Sequence, residues 1–493
     1  MGVILKQSRI NSIIIASGFL LGAVYTVFIV PKLFNEHPEQ WGLIQLLIYY
    51  AQIIAIFILF SQPSVIIKFF PEYYNKGTAN TLVAFSLIIA IGLFCVFGIV
   101  WYFFGISFYF ETNRVLYEKY YLILIPILLG SVVFEVLAAY SRIRQRSVMP
   151  LFLSISLQKI VFFIALAVML FIGLSFDTLI LLLIATFLLK PVILFIDLVI
   201  AKMRPILVKP SLRSLDLRKI FDYSVFGIFG GIAYLLIMRV DALMIGNILG
   251  LDQLAFYSIP VFLVTAMSIP EKSITQISLP VISSLYANSD FKGIETIYKK
   301  VSVNQFLLGG IISLMIWINI DGLMEILGEK FGNTTWAFFF LGIGKLFDLF
   351  TSVNGQIMSI SEKYRYNIVL QILLMILAVV LNYLLIPVLG INGAALATAI
   401  SIILYNLIKT WLVYKWYKVH PFSSGSIWVF LFLIAAGFLF SVFSLPNMYW
   451  SIVVKCLLFM ALSLVFILTG RASDDIKEET NKLIRKTLFI FKG

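Results

Sequence analysis

Ionisable side chains sit deep inside apolar runs of this sequence. Lys159, Lys190, Arg239, Lys272 and Lys345 are the basic ones; Glu135, Asp197, Asp241 and Asp348 are the acidic ones. A charge surrounded by hydrocarbon is costly, so such residues face a partner or a wet cavity. Arginine and lysine bind phosphate oxygens through charge-assisted hydrogen bonds, which makes the five cations candidates for holding an anionic headgroup. The four carboxylates are candidates for carrying a coupling ion. Internal pairing is the alternative. Lys345 and Asp348 are three apart and can satisfy each other, and Glu135 can neutralise Lys159 across a hairpin. Lys68 and Lys409 can snorkel to the membrane surface. Arg239 is the first choice for substrate contact, because Asp241, two positions on, points to a different helix face.

No catalytic constellation accompanies these charges. The sequence has no Gly-rich phosphate loop followed by Lys-Ser/Thr, no HExxH, and no acidic pair in a long loop. Its two histidines, His37 and His420, fall in loops, and Cys95 and Cys456 lie in apolar runs, without disulfide or metal spacing. An enzyme is not expected, nor a cofactor, nor a metal. Any energy must come from a proton or sodium gradient, the membrane potential or the substrate gradient.

The elements that carry these charges follow from composition. Of 493 residues, 61% are hydrophobic and 12% charged, against roughly 45–50% and ~25% in a soluble domain. A soluble enzyme and a disordered chain are excluded. The expectation is an all-α integral membrane protein with about fourteen transmembrane helices: 9–34, 41–68, 79–104, 118–141, 149–172, 177–201, 219–248, 253–283, 301–326, 334–359, 365–388, 392–417, 424–444 and 448–470. The first run is too long for a signal-peptide core and reads as a span. Net charge is +13. Most of it alternates with loop side: Arg142, Arg144 and Arg146, or Lys202 to Lys219, fall on one face, where the positive-inside rule places the cytoplasm and both termini. That distribution argues for a membrane and membrane lipids, not nucleic acid, as the partner.

The longest basic connection separates two sets of six spans. The expected organisation is an N-lobe over 1–202, a basic cytoplasmic linker over 203–218, a C-lobe over 219–420, two further spans over 421–470 and an amphipathic tail over 471–493 lying on the inner surface. Both lobes enter from the same face, as parallel repeats would. Spans two and eight each carry two prolines, Pro63 with Pro71 and Pro270 with Pro280, which allow kinks. A polar, net-positive cavity between the halves is the expected site.

Several stretches resemble bacterial polysaccharide flippases of the Wzx type. The segment Leu381 to Ser401, with Asn382, Ile386-Pro387, Gly390, Gly393-Ala394-Ala395, Ala397-Thr398 and Ser401, carries the most specific motif. Asp241 to Gly246, Pro280 to Ala287 and Val65 to Tyr73 are similar to the ends of spans seven, eight and two in that family. The arginines that some relatives carry in span one are absent; Lys6 and Arg9 stand there. The family belongs to the superfamily of MATE drug exporters and lipid II flippases. The resemblance implies a two-lobed, MATE-like V, alternating access, and a bacterial cytoplasmic membrane. It also implies a polyprenyl-pyrophosphate-linked oligosaccharide moved from the inner to the outer leaflet for O-antigen or other surface polysaccharide, alongside a polymerase and other assembly proteins. A MATE-type drug/cation antiporter and a lipid II flippase are the transport alternatives, and a membrane-embedded polysaccharide polymerase is the alternative of another class. The glycines and alanines of the Leu381–Ser401 motif are expected to permit close helix packing.

Overall fold

The computed structural model describes residues 2–108, 113–203, 215–332, 334–443, 445–473, 476–478 and 480–481. Within its helices, the side chains of 2–6, 8, 9, 12, 226, 229–238, 272, 273, 276, 277 and 329 are outside the description. Lys6, Arg9 and Lys272 fall among these, and most of the expected linker and tail lie outside the described residues.

The described residues are helical, with no strand among them. Eleven helices are long and apolar enough to cross a bilayer, or twelve if the bent pair Lys330–Thr351 and Val353–Ile360 is one span. Two structural facts separate this tally from the expected fourteen. Tyr364–Tyr417 runs through both the eleventh and the twelfth expected spans. Leu217–Ile248, the expected seventh, is not among the eleven, and its side chains 229–238 are outside the description. Outward faces carry large apolar side chains, for example Ile88, Ile91, Ile99 and Phe103. Hydrocarbon tolerates that surface and water does not. The chain is a multi-pass membrane protein.

Local sequence sets where the helices start. Ser175, Asp216, Asp290, Ser423 and Asn447 each accept from a backbone N–H of the first turn that follows, which satisfies donors that the helix itself leaves open.

The chain divides into two compact units, Met1–Ser258 and Ile259–Gly493. In the first, Phe176–Ile200 packs along Leu124–Ile143, and Pro38–Leu59 packs on Leu124–Ile143 and on Leu217–Ile248. Gly130 allows the first approach: a Cβ there would overlap the Phe187 carbonyl.

The expected second span is not continuous. Pro38–Leu59 stops at Phe60 and Ser61, both left-handed (φ 44° and 59°), and Gln62–Asn75 begins again with Pro63 in its first turn. Such a backbone is uncommon for a bulky residue. Gln62, fully buried, ties the break together: its amide donates to the Phe60 carbonyl at 3.2 Å and accepts from Ser86 Oγ at 2.9 Å. Pro270 likewise opens Ile269–Ala287 after a short 3₁₀ turn. Pro63 and Pro270 therefore start helices, where a missing N–H is harmless, while Pro71 and Pro280 remain inside theirs.

Gln62–Asn75 is pinned to the start of Leu217–Ile248. Glu72 accepts from Lys219 Nζ at 2.8 Å and from Lys76 Nζ at 2.9 Å, and Tyr73 OH accepts from the Asp216 N–H at 3.0 Å. Past the end of its span, Glu72 is held down to about 2 by its hydrogen bonds to Lys219 and Lys76. A depressed carboxyl pKa stabilises the fold above the ordinary value of 4.5, and that contribution is lost as pH falls through about 2. Thermal unfolding in detergent is therefore expected to become less pH-dependent between about 4.5 and 2 in Glu72→Gln than in the parent. Identical slopes would mean that these pairs contribute nothing.

In the second unit, Thr335–Thr351 packs along Tyr364–Tyr417. The small residues of the Leu381–Ser401 motif lie here. Ala394, Ala395 and Ala397 are fully buried, and a Cβ on Gly344 would come 2.9 Å from Ala399 Cα. The expected close packing is observed. Gly390, at φ 59° and ψ −138°, breaks Tyr364–Tyr417 between its two arms. That region is nearly closed to residues with a Cβ. Gly390→Ala is expected to destabilise the protein by about 1–3 kcal/mol, read as a lower Tm in detergent; an unchanged Tm would show that the break does not need glycine. Within the expected tail, Ser473 Oγ accepts from the Ile476 N–H at 3.5 Å.

Candidate functional site

Two cations of the first unit are built in the same way. Val148–Leu151 runs into a π-helical turn, Phe152–Leu157, and the α-helix resumes at Gln158. Lys190, 5% exposed, reaches across from Phe176–Ile200. Its Nζ donates to Gln158 Oε1 at 2.9 Å and lies 4.3 Å from the ring of Phe187, three residues earlier on its own helix. Arg239 Nε donates to Gln52 Oε1 at 3.1 Å, and its guanidinium lies 4.5 Å from the Tyr49 ring. Tyr49 and Gln52, three apart on Pro38–Leu59, share a helix face. Each cation therefore rests on a neutral amide oxygen and an aromatic face. Among the described residues neither is in a salt bridge.

The carboxylates of this unit hydrogen-bond or pair with other groups, although Glu135 also acts on Lys190 from beyond ion-pair distance. Asp241 Oδ2 accepts from Tyr257 OH at 2.6 Å and Oδ1 from the Ala242 N–H at 2.7 Å. Glu135 pairs with Arg142 at 3.1 Å and Asp197 with Arg146 at 2.8 Å. Lys159 is half-buried next to Gln158.

The second unit arranges charge differently. Lys345 Nζ donates to both Glu271 Oε2 and Asp348 Oδ2 at 2.8 Å. Asp348 Oδ1 accepts from Asn406 Nδ2 at 3.1 Å, and Asn354 Nδ2 donates to Asn406 Oδ1 at 3.3 Å and Thr410 Oγ1 at 3.2 Å. The Lys345–Asp348 pair foreseen from spacing is present, with Glu271 as a third member. Lys409 does not snorkel. It is 6% exposed, its Nζ donating to Tyr405 OH at 3.3 Å over the ring at 4.5 Å. A lysine one turn after its tyrosine on one helix is drawn back along that face.

The glutamines and asparagines of these networks were missed in the sequence. Gln52, Gln158, Asn354 and Asn406 interrupt apolar runs as the charged residues do, and that is the signal that could have found them.

An apolar groove of about 1270 Å³ also lies in the second unit, against Phe291–Trp317, Thr335–Thr351 and Ser424–Ser441. Phe306, Trp317, Phe339, Phe347, Phe430 and Phe438 line it.

No protein-family model matches the chain. Over 167 residues it is 26% identical to the capsular polysaccharide biosynthesis protein CapF of Staphylococcus aureus, a match that covers 33% of this chain and 41% of that protein. Solved structures match along most of the length. The lipid II flippase MurJ, in an inward closed conformation, aligns with TM-score 0.62 at 14% identity, over 93% of this chain and 98% of that one. An inward-facing MATE-family multidrug resistance transporter of the MOP superfamily aligns with TM-score 0.64 at 12% identity, over 86% and 98%. A MOP-superfamily transporter from Pyrococcus furiosus, described by the reverse polarity of its binding pocket, aligns with TM-score 0.54 at 12% identity, over 86% and 96%. The chain has the fold shared by MurJ and the MATE transporters.

Proposed function

We propose that this chain, with its MurJ- and MATE-type transporter fold, is a flippase that moves a polyprenyl-pyrophosphate-linked oligosaccharide from the inner to the outer leaflet of a bacterial cytoplasmic membrane. One observation carries the reading: Arg239 and Lys190 each rest on a neutral amide oxygen, and among the described residues neither has a carboxylate within ion-pair distance, Glu135 acting on Lys190 only from farther off. A pyrophosphate supplies the missing negative charge, and a sugar headgroup needs a shielded path because polar groups are costly in hydrocarbon. The local likeness to a capsular polysaccharide biosynthesis protein supports the cargo class. The apolar groove has the chemistry to hold a prenyl chain.

In this reading Arg239 and Lys190 hold the headgroup, and Lys159 joins them beside Gln158. Lys345, already balanced by two carboxylates, does not. The basic loops and both termini face the cytoplasm. Transport draws on the membrane potential or on a proton or sodium gradient, by alternating access.

Proteoliposomes of phosphatidylethanolamine and phosphatidylglycerol test the cargo class. A polyprenyl pyrophosphate bearing a fluorescently tagged N-acetylglucosamine is expected to become accessible to an external quencher faster than in empty vesicles, while the cationic dye ethidium is not carried. Ethidium transport without movement of the tagged lipid would replace this reading by a drug/cation antiporter.

A further inference from the structure

We infer that Gln52 and Gln158 are positioning residues that set the charge preference of the transport path: they hold a cation in place while leaving its charge free for an anionic cargo. This rests on the flippase reading and extends it to two residues that touch no cargo. A buried cation needs a partner for its N–H groups, and a carboxylate is the usual one. A carboxylate would also cancel the charge. An amide oxygen satisfies the donor and cancels nothing.

The chain uses the amide twice. Gln158 Oε1 accepts from Lys190 at 2.9 Å and Gln52 Oε1 from Arg239 at 3.1 Å, and each cation is backed by an aromatic face, Phe187 at 4.3 Å and Tyr49 at 4.5 Å. The second unit shows what the same fold does where a lysine's charge is to be balanced. Lys345 there meets Glu271 and Asp348, both at 2.8 Å. Glutamine and glutamate have nearly the same shape, so packing alone does not select the amide. The chemistry that does is recognition of an anion, such as the pyrophosphate of a lipid-linked sugar.

The test uses substitutions whose order a structural role would reverse. Gln52→Glu and Gln158→Glu keep an acceptor and add a negative charge; Gln52→Met and Gln158→Met remove the acceptor and keep the positive charge. Uptake of the tagged polyprenyl pyrophosphate into the quencher-accessible leaflet is expected to fall about 10- to 100-fold in the glutamate variants and clearly less in the methionine variants. A merely structural glutamine gives the opposite order, because glutamate still accepts from the cation and methionine does not; methionine variants at or below the glutamate ones overturn the inference. Arg239→Met and Lys190→Met are run beside them. If these two lose transport while the glutamate variants keep it, the flippase reading stands and the role of the glutamines falls. If Arg239→Met and Lys190→Met transport as the parent does, the flippase reading falls with it.

Discussion

Arg239→Met and Lys190→Met each lower transfer of a polyprenyl pyrophosphate between leaflets by about 10- to 100-fold, and the double variant removes it. A hydrogen bond to a charged group contributes about 1.5–3 kcal/mol, and a tenfold change in rate or affinity corresponds to about 1.4 kcal/mol. Methionine keeps most of the apolar stem, so packing against Phe187 and Tyr49 is largely retained. Loss of the cation leaves Gln158 or Gln52 with one unmet acceptor, a smaller effect than an unpaired charge. Folded protein, followed by size-exclusion profile and Tm, is therefore expected to survive both changes. Parent-like transfer in both single variants and in the double variant would show that the two charges serve the fold.

Lys345→Met acts in the opposite way, on stability first. Lys345 holds Glu271 and Asp348 together across two helices, and Asp348 in turn accepts from Asn406 on a third. Removing it leaves two carboxylates close together in a largely apolar setting, with Lys409 acting on Asp348 only from beyond ion-pair distance. Breaking a buried pair from one side destabilises by about 3–5 kcal/mol, which should appear as a large drop in Tm and in yield from membranes. The triple variant Lys345→Met, Glu271→Gln, Asp348→Asn removes all three charges and is expected to recover most of the loss. A single variant as stable as the parent would mean that water reaches the cluster and screens it, and would return Lys345 to the cargo-binding set.

These opposite expectations mark what one sequence discloses. The apolar runs and loop charges gave the helical membrane fold, because both follow from the bilayer as solvent. The span limits followed the apolar runs, and the capping Ser175, Asp216 and Asn447 just before them were not used. The Lys345–Asp348 pair was legible because three residues along a helix is a fixed geometry. Glu271 was not, since it arrives from another helix. The break at Phe60 and Ser61 was hidden because neither residue favours a left-handed backbone; tertiary contacts at Gln62 hold it there. The distinction between Arg239 and Lys345 was equally hidden. Both are cations in apolar runs, and only the partner, Gln52 in one case and two carboxylates in the other, separates a free charge from a balanced one.

One measurement bears most directly on the proposed activity. A fluorescent lipid-linked oligosaccharide of defined length is placed in one leaflet of proteoliposomes, and its leaflet and its chain length are both followed. The expected result is movement to the opposite leaflet with the oligosaccharide unchanged, lost in the Arg239→Met, Lys190→Met double variant. Oligosaccharide that grows longer without changing leaflet would contradict the account and make this chain a polymerase.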